Sequence, residues 1–273
     1  VNCSELHSFL ERTGRRPNRS LSQNFLVDEN IARKIVRTAD VASGDQVLEI
    51  GPGPGALTVP LLEAGARVIA VEADPVFAKE LGRLEPQERC LNPVFADFLT
   101  FPLSPLLAPM KVVANLPYHI TTPILEKLFE HRDRFTTLTL MVQKELVDRM
   151  FAPPGSKSFG SLSLFTQFHT ELAASFLVSA ACFYPKPTVD SKVIHLALRT
   201  PPLEESALFF SLVRRAFQQR RKMIRVSLAS LYPVQLLEQA LAAAGARTDA
   251  RPETLSLEQW IAFFRSATKV RSG

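Results

Sequence analysis

Over residues 1–200, short apolar runs alternate with amphipathic stretches, and this alternation predicts strands and helices in turn. Gln46-Val47-Leu48-Glu49-Ile50 and Arg67-Val68-Ile69-Ala70-Val71-Glu72 read as buried strands, as do 92–96, 110–114 and 137–142. Helices are expected between them, at about 29–38, 56–64, 75–84, 121–132 and 143–151. Asp28 suits the N-cap of the first, and Pro75 suits the first turn of the third. Strand and helix in strict alternation imply an α/β fold with a mostly parallel, doubly wound sheet. Two later β-rich runs, about 168–178 and 192–199, are expected to complete its edge as a hairpin-like pair. Residues 152–161, rich in Pro, Gly and Ser, read as an exposed loop. Thr200-Pro201-Pro202 marks the domain boundary, and beyond it the pattern is helical only, at about 204–217, 218–231, 233–244 and 256–267. The expected organisation is therefore one α/β domain, 1–200, and a small all-α domain, 201–273.

Composition narrows the class. With 273 residues and 46% hydrophobic content, the chain can bury one large core and still form a second small domain. Its longest apolar runs fall far short of a membrane span, and no basic-then-apolar signal pattern opens it, so a soluble protein is expected. Cys3, Cys90 and Cys182 are too widely spaced for a disulfide framework or a zinc site, and no metal is expected. A reducing cytoplasm is their simplest home. The formal net charge is only +5, but it is clustered, which hints at a polyanionic partner. Arg12, Arg15, Arg16 and Arg19 sit among Ser, Asn, Gly and Pro in residues 1–20, which read as a mobile basic arm. Such an arm suits either a solvated tail or a nucleic-acid contact.

The strand ends carry the chemistry. Gly51, Gly53 and Gly55 let the backbone approach a ligand where side chains would clash. Their spacing does not match the dinucleotide fingerprint, which needs a third glycine further along. Glu72, at the end of the next strand, can accept both hydroxyls of a ribose, and the plainer alternative is a surface acid. Asp97 can accept from an adenine amine, with Phe98 stacking on the ring. Together these residues fit S-adenosylmethionine bound at a switch point of the sheet. Asn115-Leu116-Pro117-Tyr118 ends the fourth strand, where it falls beside the transferable methyl. A side-chain acceptor, a turn whose carbonyls face a ligand, and a flat ring suit a planar base with an exocyclic amine. The same four residues also suit an ordinary strand-to-turn exit.

The chain resembles the ribosomal RNA adenine N6,N6-dimethyltransferases, most closely the bacterial small-subunit type. The resemblance rests on Gln23-Asn24-Phe25-Leu26, Glu49-Ile50-Gly51-Pro52-Gly53, Glu72, Asp97, Asn115-Leu116-Pro117-Tyr118, Gln143-Lys144-Glu145 and Phe183-x-Pro185-x-Pro187-x-Val189-Asp190-Ser191. These stretches follow one another in family order over roughly 20–230. The family usually has Gly where Ser22 stands and an apolar residue where Pro54 stands. The resemblance implies a Rossmann-like class I methyltransferase domain, with Asn24 and Leu26 also touching the cofactor and Phe183 holding the target adenine opposite Tyr118. It further implies two adjacent adenosines in the 3′-terminal hairpin loop of 16S rRNA as targets, dimethylated during small-subunit assembly. Leu116 favours this type over large-subunit resistance relatives, which more often carry Ile. A catalytically silent assembly or transcription factor is disfavoured by the intact Asn115–Tyr118 motif.

Residues 209–231, drawn as one helix, gather Phe210, Val213, Phe217, Ile224, Leu228 and Leu231 on one face. Arg214, Arg215, Arg220, Arg221, Lys222 and Arg225 accompany that face with no acid among them. They read as a phosphate-binding stripe or, alternatively, as a solvated face. No exposed coiled-coil pattern is present, and a monomer is expected.

Overall fold

Asn2 begins the first helix and overturns the expected mobile arm. In the computed structural model, which describes residues 2–17, 23–84, 90–106, 109–204 and 206–269, Cys3–Thr13 form α1. The Asn2 side chain accepts from the Glu5 N–H while Glu5 accepts from the Asn2 N–H, a reciprocal cap that satisfies two orphan donors. Leu6, Phe9 and Leu10 recur at helical spacing and bury against Phe25 and Phe77. Two of the arm's cations are paired on the surface: Arg12 with Glu80 at 2.8 Å and Arg15 with Asp74 at 3.1 Å. Arg19 and Ser22 lie outside the described residues.

The chain divides into two compact units, the first formed by Val1–Lys144 with Glu171–Leu198. After β1 (Phe25–Leu26), the Asp28 carboxylate caps α2 (Glu29–Thr38) by accepting from the Ile31 N–H at 3.1 Å. Then follow β2 (Gln46–Ile50), α3 (Thr58–Glu63), β3 (Arg67–Glu72), α4 (Pro75–Leu81), β4 (Leu91–Phe95), β5 (Met110–Asn115), α5 (Thr121–Glu130) and β6 (Phe135–Gln143). The later strands are β7 (Thr170–Val178), β8 (Phe183–Tyr184) and β9 (Ser191–Leu198). The main sheet runs β4-β3-β2-β5-β6-β9-β7. Its pairs from β4 to β6 are parallel, and β9 joins β6 antiparallel. The central strands are buried on both faces, which is why they read as nearly continuous apolar runs.

The chain winds outward from β2 through β3 to β4, then returns to β5 on the other side of β2. The order therefore reverses between β2 and β5, where Ile50 lies beside Ala114. Such a reversal opens a crevice at the carboxyl ends of the strands. A separate two-stranded sheet pairs Phe25 with Tyr184 and Leu26 with Phe183.

The second unit joins Glu145–Thr170 to Arg199–Gly273. The boundary expected at 200 therefore misses the inserted segment 145–170. That segment holds α6 (Lys144–Met150, from Glu145) and α7 (Ser161–His169), a helix that starts at the end of the loop expected over 152–161. Ser163 starts α7 by accepting from the Gly160 N–H and donating to the Arg149 carbonyl, so the helix is anchored to the end of α6. Phe159, Leu164 and Phe168 pack with Phe209, Val213, Leu241, Trp260 and Phe263 in this unit's core. The other helices are α8 (Ser206–Gln218), α9 (Ile224–Ser227), α10 (Val234–Ala243) and α11 (Leu257–Lys269). The helix expected over 218–231 is reduced to α9. After Gln218, residues 219–222, Gln-Arg-Arg-Lys, offer no apolar side chain to bury, and a turn replaces the helix there.

Candidate active site

Five segments of the first unit line one cavity of about 260 Å³ at the switch point. They are 23–26, the glycine turn after β2, the end of β3, the turn after β4 and the segment following β5. Of the site residues expected from sequence in this unit, Asn24, Leu26, Gly51 and Gly53 all line it. So do Glu72, Asp97 and Phe98, and so do Asn115, Leu116, Pro117 and Tyr118. Phe183 does not line it. Its ring, 4% exposed, is buried with Leu26, Met141, Val178 and Val193, because its backbone pairs with Leu26 in the small sheet. Its ring thus packs beside Leu26, which does line the cavity.

Gly51 and Gly53 have φ of 65° and 54°, in the left-handed region that side chains disfavour. A Cβ on Gly53 would also stand 3.2 Å from the Phe25 ring. The turn is clamped by Glu72, whose carboxylate accepts from the Gly53 N–H at 2.9 Å and from the Asp74 N–H at 2.8 Å. Burial raises the Glu72 pKa, and these backbone N–H groups work against the rise. Glu72 thus shapes the glycine turn besides facing the cavity.

Two further groups have roles that the sequence does not announce. Glu49 is fully buried, and burial pushes its pKa up to about 8, so it is largely neutral at pH 7. One of its oxygens accepts from the Thr58 hydroxyl at 2.7 Å; the other is buried with no partner among the described residues, and Glu49 is one of the residues around the cavity. On the neutral acid that oxygen carries the proton, so what it lacks is an acceptor. Lys127 donates to the carbonyls of Phe98, Leu99 and Phe101 at 2.7, 2.9 and 2.5 Å, pinning the turn that carries Asp97 and Phe98. Asp97 itself accepts from the Leu99 N–H at 2.8 Å and remains exposed. No local pattern marks Lys127; its role appears only once α5 packs beneath the turn.

At the end of β5, the Asn115 amide donates to the Asn24 carbonyl at 3.3 Å. That bond fixes which way the amide points and leaves its oxygen as an acceptor toward the cavity. The Leu116 N–H donates to the Met141 carbonyl at 3.0 Å, locking the turn to β6. The Pro117 carbonyl already accepts from the Ile120 N–H at 3.2 Å and the Thr121 hydroxyl at 3.1 Å. Of the two turn carbonyls, Leu116 is therefore the one left for a ligand. Tyr118 is half-buried, its hydroxyl bonded to Ser191 at 2.8 Å. Burial raises its pKa, so the phenol stays protonated and is no base near neutral pH.

These residues fit S-adenosylmethionine: carboxylates for ribose and base amine, apolar walls and a glycine turn. Fold and crevice together define a class I S-adenosylmethionine-dependent methyltransferase. A family model described as ribosomal RNA adenine dimethylase matches residues 14–269, and the chain belongs to that family. The ribosomal RNA small subunit methyltransferase A of Protochlamydia amoebophila (strain UWE25) is 46% identical over 269 residues, covering 96% of this chain and 95% of that protein. The protein of the same name from Chlamydia muridarum (strain MoPn / Nigg) is 46% identical over 273 residues, covering 97% of each. Among solved structures, the 23S rRNA methyltransferase ErmE superimposes with a TM-score of 0.71 at 32% identity, over 89% of this chain and 99% of that one. A dimethyladenosine transferase from Plasmodium falciparum gives 0.76 at 25% identity, over 90% and 98%.

In the second unit the expected cationic stripe is not continuous. Arg214 and Arg215 lie on α8, Arg220, Arg221 and Lys222 on the following turn, and Arg225 on α9. Arg220 donates to the Ser156 and Lys157 carbonyls at 3.3 and 2.8 Å, and Arg225 pairs with Glu238 at 3.2 Å. Arg215 bonds Gln218 and Ser230. Arg214, Arg221 and Lys222 are exposed. Among the described residues no helix is long and apolar enough to cross a membrane, and no group of three or more His, Cys, Asp or Glu is placed to hold a metal.

Proposed function

We propose that the protein methylates N6 of two adjacent adenosines in the 3′-terminal hairpin loop of 16S rRNA, dimethylating each while the small subunit is assembled. The observation that carries this reading is the oriented Asn115 amide, held by the Asn24 carbonyl beside the glycine turn. When bound, S-adenosylmethionine supplies an activated methyl group, so the chain need only bind, orient and stabilise. The Asn115 oxygen and the Leu116 carbonyl accept the two N6 hydrogens and draw them out of the ring plane. The nitrogen lone pair, otherwise delocalised into the ring, is then available. Both bonds strengthen as positive charge grows on N6, so they favour the transition state over the ground state. Tyr118 offers a ring face on which the extruded base stacks, worth about 1–3 kcal/mol. Glu72 takes the ribose hydroxyls and Asp97 the adenine amine of the cofactor. Arg214, Arg221 and Lys222 contribute charge toward RNA phosphates. We further infer a monomer acting in the cytoplasm.

Higher identity to the small-subunit relatives than to the 23S enzyme favours the small subunit, as does Leu116. Radiolabelled S-adenosylmethionine, offered with separate undermethylated small and large subunits, tests the reading. Label is expected in small subunits only, as dimethyladenosine at two neighbouring positions. Label in large subunits, or in neither, contradicts it.

A further inference from the structure

The Val189-Asp190-Ser191 segment lines no part of the crevice, yet Ser191 reaches it through a bond to Tyr118. The two hydroxyls lie 2.8 Å apart. Ser191 is fully buried at the start of β9, and its position is set from several sides. It pairs with Gln143 in the ladder between β6 and β9. The preceding residue, Asp190, accepts the Lys144 N–H through its carbonyl at 3.0 Å and the Ala180 N–H through its carboxylate at 2.9 Å. A serine held this way cannot follow a moving ring, so the ring is held to the serine. Tyr118, by contrast, opens a short 3-10 turn, Tyr118–Ile120, whose backbone bonds leave the side-chain torsions free. The phenol hydroxyl has no base role to explain it. What the bond does is fix where the ring face points relative to the Asn115 acceptor.

We propose that Ser191 is a positioning residue for methyl transfer: through its hydroxyl it tethers Tyr118, keeping the ring at the place where the target base must stack. A base stacked at the right height but turned by the ring would miss the Asn115 and Leu116 acceptors, and misplacement of this kind lowers the rate of the chemical step. The proposal rests on the reading of the crevice as an adenine N6-methylation site.

The test is single-turnover methylation of undermethylated small subunits at saturating cofactor by wild type, Tyr118→Phe, Ser191→Ala and the double variant, with cofactor affinity and melting temperature measured alongside. Each single change removes the same bond from one end. Each is expected to lower the rate about fivefold, the scale of one neutral hydrogen bond. The double variant should be no slower than the slower single one, and cofactor affinity should be unchanged in all three. Losses that multiply in the double variant overturn the tether, as does a wild-type rate in either single variant. If Ser191→Ala melts early, Tyr118→Phe decides from the other end of the bond: a wild-type rate overturns the tether and a fivefold loss at normal stability supports it. Wild-type protein that transfers no methyl to small subunits would instead refute the reading of the site, and the tether falls with it.

Discussion

Polar side chains at the crevice and on residues 214–225 both serve the proposed reaction, but they are held differently. In the crevice each group hangs from a strand end and has a second partner: Asn115 with Asn24, Glu72 with Gly53 and Asp74, Tyr118 with Ser191. On 214–225 the cations sit on a helix, a turn and a four-residue helix, and Arg215, Arg220 and Arg225 are engaged within their own unit. Stabilising a transition state demands donors and acceptors already in place, whereas phosphate attraction needs only charge within reach. Changes in the crevice should therefore act steeply and one residue at a time. Changes in the cationic segment should act gradually and additively.

The largest effect is expected at Asn115. Asn115→Ala should lower single-turnover methylation by about 10²-fold or more, the scale of a lost preorganised hydrogen bond. RNA affinity should barely move, and a filter-binding assay checks that half. Glu72→Ala comes next and should weaken S-adenosylmethionine binding by about 1–3 kcal/mol in calorimetry. Because Glu72 also clamps the glycine turn, Glu72→Gln, which keeps one acceptor oxygen, should fall between the two. Unchanged affinity in Glu72→Ala would remove the ribose assignment.

A smaller effect concerns Glu49 and pH. Its folded pKa, about 8, lies above its ordinary value of 4.5, so the folded state holds this proton more tightly. The resulting stability is complete below about 4.5 and is lost as pH rises through about 8. Glu49→Gln, neutral throughout, should flatten the fall of melting temperature across that window. Glu72 is shifted in the same direction, so part of the slope should survive. A slope identical to wild type would mean that Glu49 is ionised in the folded protein. Smallest of all, Arg221→Ala or Lys222→Ala should each reduce the dependence of log RNA affinity on log salt by roughly one unit or less. Arg220→Ala should instead lower the melting temperature, since its guanidinium holds the Ser156–Lys157 backbone.

What the sequence could reveal follows the same division. The strands and the crevice residues were legible because a buried parallel strand is an apolar run, and whatever follows its last residue lies at the switch point. Helix α1 was hidden by the arginines at its end and beyond it, although Asn2 and Glu5 at capping spacing, ahead of Leu6, Phe9 and Leu10, were signal enough. Helix α7 was masked by the Pro-Gly-Ser stretch before it. The cations at 218–222 were misplaced on a helix because Phe217 and Ile224 keep helical spacing across a turn. The roles of Glu49, Lys127 and Ser191 could not be read from sequence, although the first and last stand in the stretches that carry the resemblance. Each acts through a partner brought near only by the fold: Thr58, the 98–101 carbonyls and Tyr118.

One measurement sets the two regions against each other: small-subunit methylation and RNA binding, each followed across a salt series, for Asn115→Ala and for the combined Arg214→Ala, Arg221→Ala and Lys222→Ala variant. Asn115→Ala is expected to lose turnover at every salt concentration and to keep the wild-type salt slope. The combined variant should lose affinity and slope yet reach a near-normal rate at saturating RNA. A combined variant that stays slow at saturation, or an Asn115→Ala protein that turns over normally, would contradict the separation of chemistry from RNA attraction.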